Sequence, residues 1–257
     1  MRNGPKVSDV DLRTLTDMVS EDRTDVPAKG LPPSLLGDLM QQIRCDDLVV
    51  TGFDSRRETW WLTQNAAGVE PPPDEAADRV HWEHYWDCQP CSYPDRTADL
   101  RRVVTIADFY SARQWRSTGM YGEYFRPLGI EHELMLSMPA GTPGNTDPGR
   151  TLRIVLFRGP GPDFSERDRA LLTLLRPHLY EAYLAAERKR RPTPHLTPRQ
   201  WQLLHLLAAG HTNFQIARRL GLAEGTVRKH LENIYRQLGA SNRMAAVTRA
   251  FPDRAVN

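Results

Sequence analysis

Lysine is scarce and unevenly placed: four of 257 residues, against thirty arginines, with none between positions 30 and 188. A phosphoacceptor receiver domain needs a lysine beside its acidic pocket, so this gap argues against phosphorelay control of the N-terminal part. Apolar runs are short. None approaches the roughly 18 residues that a membrane-spanning helix requires, and the chain opens on no secretory leader, so a cytoplasmic protein without membrane contact is expected. Three cysteines, an odd number, make no secreted disulfide framework and suit a reducing compartment. The phosphate-cradling GxxxxGK[ST], the GxSxG elbow, the HExxH helix and a Gly-rich dinucleotide loop are all missing, so neither an enzyme nor a bound cofactor is predicted. Glu131 and Glu133 flank an alternating strand pattern and read as the solvated edge of a strand.

Charge is divided along the chain. From Thr193 onward nine Lys plus Arg face three Asp plus Glu, a net of +6, while residues 1–192 carry 25 against 29, a net of −4. An acidic body with a basic tail suits contact with nucleic acid at one end only.

That tail carries four apolar-periodic segments, each opened by a capping residue and closed by glycine or a polar turn. Thr197 caps the first, with Pro198 at the first helical position, Gln200 as capping-box partner, and Gly210 as its stop. The second, FQIARRL, is read as opening at Asn213, burying Phe214, Ile216, Ala217 and Leu220, and stopping at Gly221. In the third, Val227, Leu231, Ile234, Tyr235 and Leu238 form one stripe. Thr226, Arg228, Lys229, His230, Glu232, Asn233 and Arg236, with Thr212 and Asn213, are then the candidate DNA-binding residues, rich in groups that bond phosphates or base edges. A short helix joined by a Gly-containing turn to a longer polar-faced one is a helix-turn-helix, whose second helix enters the major groove of double-stranded DNA.

The motifs LTPR, TN..IA..L, E.TV[RK].H...I...L and.NR..A span about 55 residues and together resemble the LuxR-type helix-turn-helix family. Gln200 and Gln215 stand where the family usually has glutamates, and Glu232 where it often has a basic or polar residue. The resemblance implies a sequence-specific transcriptional regulator acting as a homodimer, with helix three as reader and a fourth helix contributing the dimer contact through Asn242, Ala246, Val247 and Ala250. RNA polymerase is a further candidate partner.

Upstream, residues 1–30 are polar with one weak helical stripe, Val10, Leu15, Met18 and Val19. Leu35, Leu36, Leu39, Met40 and Ile43 make an amphipathic helix. Leu48 to Phe53 and Thr59 to Leu62 read as strands about a turn at 54–57, residues 76–86 as helix, and His132 to Met138 and Leu152 to Phe157 as strands joined by the loop AGTPGNTDPG. Ser165 and Asp168 cap a long helix that Pro177 should kink, ending in the linker ERKRRPTP. This order resembles a GAF-type α+β sensor domain. The expected architecture is therefore α+β: a polar segment at 1–30, a GAF-like antiparallel sheet flanked by helices at 31–191, and an all-α four-helix DNA-binding domain at 192–257, joined by the long helix. A fold of this kind does not identify its ligand.

Two clusters upstream suggest chemistry. His81, His84, Cys88 and Cys91 form an HxxHxxxCxxC run. On one helix they would span about 15 Å, too far for one ion with bonds near roughly 2.1 to 2.3 Å, so a metal site requires a break at Pro90. The same residues could instead form a dithiol redox switch, giving a metal- or thiol-responsive regulator, or border an aromatic core. A small-molecule effector is expected among the aromatic residues, with Trp82, Trp86, Asp108, Tyr121 and His132 as pocket candidates and Glu123 as a further polar anchor. Trp82, Tyr85, Trp86 and Asp87 echo the aromatic and aspartate constellation of the family's acyl-homoserine-lactone sensors only loosely, without its spacing.

Overall fold

The computed structural model describes residues 7–20, 23, 25, 29–141, 149–190 and 196–251. Most of the Gly/Pro-rich loop (142–148) and part of the linker (191–195) lie outside the described residues. The chain divides into two compact units, 1–190 and 191–257.

The first unit is mixed α and β. It begins with α1 (Asp9–Ser20) and α2 (Pro33–Gln42), which lead into β1 (Asp47–Asp54) and β2 (Thr59–Asn65). Of the weak stripe at the N-terminus, Leu15 and Met18 are buried, but Val10 and Val19 are exposed. Next come α3 (Glu75–Tyr85), α4 (Gln89–Thr97), the short β3 (Val104–Thr105), α5 (Ala112–Arg116) and a π-helical turn at Met120–Phe125. Strands β4 (His132–Pro139) and β5 (Arg150–Arg158) precede the closing helix α6 (Glu166–Arg190).

The five strands form one antiparallel sheet in the order β2-β1-β5-β4-β3. Because side chains alternate along a strand, the register sorts them onto two faces. Leu48 and Val50, Leu134, Leu136 and Met138, and Leu152, Ile154 and Leu156 share one face. They pack with Leu36 and Leu39 of α2 and Leu171, Leu172, Leu175 and Leu179 of α6 into the principal core. The opposite face meets a second, aromatic cluster that includes Phe53, Tyr85, Trp115 and Phe125. A bulge at Gly52/Phe53 shifts the β1–β2 register. Glycine is required there, since a Cβ at position 52 would lie 2.4 Å from the Trp61 ring.

Helix α6 opens as expected: the Ser165 amide donates to Asp168 Oδ2 at 2.9 Å and the Asp168 amide to Ser165 Oγ at 3.3 Å. It runs as one continuous helix through Pro177.

The second unit holds α7 (Pro198–Ala208), α8 (Asn213–Leu220), α9 (Glu224–Leu238) and α10 (Arg243–Ala250). Leu203, Leu204 and Leu207, Ile216 and Ala217, and Val227, Leu231 and Ile234 form its separate core. The α7 capping box closes between Thr197 and Gln200. For α8 the cap is one residue earlier than expected: Thr212, not Asn213, with Gln215 as partner. Phe214, expected inside, is 62% exposed.

Candidate nucleic-acid interface and sheet-face cavity

Helices α8 and α9 meet at a tight turn in which Gly221 adopts left-handed backbone (φ 64°) and the Leu222 amide donates to the Ala217 carbonyl. With Val227, Leu231 and Ile234 packed inward, the opposite side of α9 faces outward. Thr226, Arg228, Lys229, Glu232 and Arg236 are exposed there, and His230 and Asn233 are half-buried at its borders. Thr212 is exposed but engaged in its capping box, while Asn213 is half-buried.

The basic residues of this unit divide into two groups. Arg199 donates to the Leu220 carbonyl at 2.8 Å, and Arg243 to the carbonyls of Leu207 and His211 at 2.7 and 3.0 Å. Arg249 donates to the Leu238 carbonyl at 2.8 Å and also to that of Gly239. These three hold helix ends together by satisfying carbonyls that the helices leave open. Arg218, Arg219, Arg228, Lys229 and Arg236 form no hydrogen bond or ion pair among the described residues, and all five are exposed. Arg218 and Arg219 lie outside the candidates read from the sequence, because sequence neighbours do not distinguish a free arginine from one that caps a carbonyl.

The fourth helix departs from expectation. Ala246 and Ala250 are buried in the unit itself, so they do not offer a face to a second copy. Asn242 is the α10 cap, donated to by the Ala245 amide, and Val247 packs against the same core. Met244, 75% exposed, is the apolar residue that α10 leaves uncovered.

In the first unit, the sheet face opposite α6 borders a cavity of about 410 Å³. Val49 and Thr51 of β1, Glu133 and Met135 of β4, and Arg153, Val155 and Phe157 of β5 supply its floor. Trp60 of β2, Asp78 and His81 of α3, and Tyr124 and Phe125 of the π-helical turn line it as well. None of the five residues expected to form an effector pocket lines this cavity. Trp82 packs on Phe53 and Tyr85, Trp86 is 39% exposed, and Tyr121 donates to Glu131 at 2.6 Å. Asp108 is bound by Arg169 at 2.8 Å, and His132 Nε2 lies 3.0 Å from the Gly161 carbonyl oxygen. Tyr121, Asp108 and His132 are thus held by structural partners.

Several polar groups at the cavity are buried without partners. Neither ring nitrogen of His81 forms a hydrogen bond, and burial, with Arg153 nearby, holds its pKa down at about 3, so the ring is neutral. Trp60 Nε1–H is near enough to Asp78 to favour its charged form, yet closes no hydrogen bond. Burial nevertheless keeps the Asp78 carboxyl above its ordinary range. Glu133, expected on a solvated edge, is only 6% exposed. Burial pushes its carboxyl up to about 7, against a smaller opposing pull from Arg153. The reason is topological: β4 lies inside the sheet and its polar-looking side faces the cavity, not water.

Arg153 is itself committed. It pairs with Asp95 at 2.6 Å, donates to the Tyr85 hydroxyl and the Cys91 carbonyl, both at 2.9 Å, and lies over the Phe53 ring at 4.0 Å. The HxxHxxxCxxC residues do not converge on one point. Cys88 and Cys91 form a disulfide at the start of α4, the oxidised state of the dithiol that their CxxC spacing allows. His84 lies 3.4 Å from the Glu123 carboxylate, and no group of three or more His, Cys, Asp or Glu among the described residues could hold a metal ion.

The C-terminal unit is thus a four-helix DNA-binding module of the helix-turn-helix class. Residues 194–250 match the model of the luxR family of bacterial regulatory proteins (GerE), and so carry a LuxR-family domain. A stretch of 56 residues is 52% identical to the probable transcriptional regulatory protein SgaR of Hyphomicrobium methylovorum, covering 22% of this chain and 26% of that protein. The matched segment therefore spans about a quarter of that curated relative. Among solved structures, SdiA in complex with octanoyl-rac-glycerol aligns at 15% identity over 95% of this chain and 96% of its own, with a TM-score of 0.48. Escherichia coli SdiA in a second crystal aligns at 12% identity over 94% and 96%, TM-score 0.46. The VqsR LBD domain from Pseudomonas aeruginosa aligns at 18% over 70% and 95%, TM-score 0.45.

Proposed function

We propose that the protein is a sequence-specific, DNA-binding transcriptional regulator whose N-terminal domain is a GAF-like sensor of a small molecule and sets the geometry of a homodimer. The observation that carries this reading is the outward ridge of α9, where Arg228, Lys229 and Arg236 are exposed and unpaired beside a buried Val227–Leu231–Ile234 stripe. Arg218 and Arg219 on the preceding helix would meet phosphates, as the first helix of such a pair crosses the DNA backbone. The β2-β1-β5-β4-β3 sheet with a cavity on one face supports the sensor assignment. Dimerisation would use exposed surface such as that around Met244, because Ala246 and Ala250 are taken up in the core. Among the described residues no helix is long and apolar enough to cross a membrane.

Selection of duplexes from a random pool by the full-length chain, followed by anisotropy titration, tests the reading. A defined site should emerge. Arg228→Ala or Lys229→Ala should then cost about 1 to 3 kcal/mol if the residue reads a base, or weaken all duplexes alike if it contacts phosphate. Unchanged binding in both variants rejects α9 as the reader.

The Cys88–Cys91 disulfide favours a second reading, a thiol-responsive regulator. The Cys91 carbonyl accepts from buried Arg153, so the bridged segment is tied to the cavity floor. Equal DNA affinity of the oxidised and reduced protein would exclude this role.

A further inference from the structure

The electrostatics of the sheet-face cavity are lopsided. Four carboxylates line it, those of Asp46, Asp47, Asp78 and Glu133. Both lining cations are already paired: Arg153 with Asp95, and Arg158 with Asp168 at 3.3 Å and with the carbonyls of Arg44 and Asp163. Two of the acids are also satisfied locally, since Asp46 accepts from the Gly159 amide and Asp47 from the Leu48 amide. Glu133 is different. It is only 6% exposed, and its carboxyl forms no hydrogen bond or ion pair among the described residues. A buried carboxylate without a counter-ion is among the costliest groups a fold can hold, and native interiors rarely leave one unanswered.

Around it stand Trp60, Tyr124, Phe125 and Phe157, whose rings favour apolar groups and, through their π faces, cations. An anion would meet four acidic side chains here and no unpaired arginine to receive it. A neutral ligand would leave the Glu133 carboxyl without a counter-ion.

We propose that this cavity receives a small organic cation, a protonated amine on an apolar body, whose ammonium pairs with Glu133 while the aromatic wall encloses the remainder. The neutral His81 ring offers one donor and one acceptor, and Trp60 Nε1 one donor, to orient further polar atoms of the ligand. The inference rests on the reading of the N-terminal domain as a ligand-binding module and assigns its ligand class. Burial drives the Glu133 carboxyl up to about 7, and an ammonium beside it would favour its charged form.

The test uses matched probes that differ only in the polar head. Full-length protein at about pH 8, where the amines are protonated and Glu133 is mostly ionised, is titrated calorimetrically with tryptamine, tryptophol and indole-3-propionate. Hexylamine, hexanol and hexanoate form a second series. In at least one series the amine should bind about ten-fold tighter than the alcohol, with the carboxylate weakest, as a desolvated charge pair requires. Glu133→Gln should erase that preference, lowering amine affinity about ten-fold while changing alcohol affinity by less than about three-fold.

If alcohols or carboxylates bind as tightly as amines, or Glu133→Gln keeps the amine preference, the cation assignment falls and the ligand-binding reading stands. If no probe of either series binds, both fall. Thermal melting of the variant confirms that it folds, and the rank order in the unmodified protein decides the question without it.

Discussion

Arg153 on β5 and Asp95 on α4 are 58 residues apart in sequence, yet their side chains meet at 2.6 Å with 4% and 5% of their surfaces exposed. The Tyr85 hydroxyl joins the pair, donating to Asp95 and receiving from Arg153. This cluster ties α3 and α4 to the sheet, and its Arg153 lines the cavity floor. It also removes from the cavity the arginine that would otherwise attract an anion.

Breaking that pair on one side strands the other charge. Asp95→Ala should destabilise the first unit by about 3 to 5 kcal/mol, because the buried guanidinium is left uncompensated. Five of the six tryptophans, Trp60, Trp61, Trp82, Trp86 and Trp115, lie in that unit, so urea unfolding followed by tryptophan fluorescence reports the loss.

Glu133 and His81 should give the first unit opposite dependences on pH. The Glu133 carboxyl sits at about 7 in the fold, above its ordinary 4.5. Its contribution is full below about 4.5 and is lost as pH rises through 7, an effect on the order of 3 kcal/mol. His81 sits at about 3, below its ordinary 6.5, so its contribution is full above 6.5 and is lost as pH falls toward 3. The groups facing these two are Arg153 from β5, Asp78 from α3 and Tyr124 from the π-helical turn. Urea midpoints measured from pH 4 to 9 should show Glu133→Gln removing the alkaline loss and His81→Leu the acid loss. Parallel profiles for variant and parent would contradict this.

Two arginines of the DNA-binding unit should fail in different ways. Arg243→Ala removes the donor to the Leu207 and His211 carbonyls and should lower stability by about 1 to 2 kcal/mol. Arg219→Ala removes an exposed, unpaired cation and should leave stability within about 0.5 kcal/mol. If Arg219 meets a phosphate, its loss reduces the slope of log affinity against log salt by about 1.

Gly221 should resist replacement. Its φ of 64° closes α8 before the turn into α9, and Gly221→Val should cost about 1 kcal/mol or more through left-handed strain. Thermal melting of the unit measures this, and a variant as stable as the parent would refute the role.

The parts of the fold that were legible in the sequence are those set by neighbours three or four positions apart. The Thr197–Gln200 box, the Ser165–Asp168 cap, the α9 stripe and the alternation of β1, β4 and β5 are of this kind. The aromatic layer was not legible, because α4, β3 and the π-helical turn are held by long-range contacts such as Arg153 to Asp95 and Arg153 to Cys91. Glu133 was misread for the same reason. Alternation tells which residues share a face, but not whether that face meets water or a cavity. Residue type alone marks Asp108, Tyr121 and His132 as effector candidates, and each proves bound to a structural partner. Within α10 the resemblance pointed Ala246 and Ala250 outward, whereas the packing of the unit turns them in.

Contact between the exposed cations of α9 and DNA would show itself in the salt dependence of binding. Anisotropy titrations of the full-length protein on its selected duplex, repeated across salt concentrations, should give a steep negative slope of log affinity against log salt. Arg228→Ala, Lys229→Ala and Arg236→Ala together should make that slope shallower by up to about 3, with unchanged melting. A slope near zero, or a triple variant that binds like the parent, would rule out DNA contact by these cations.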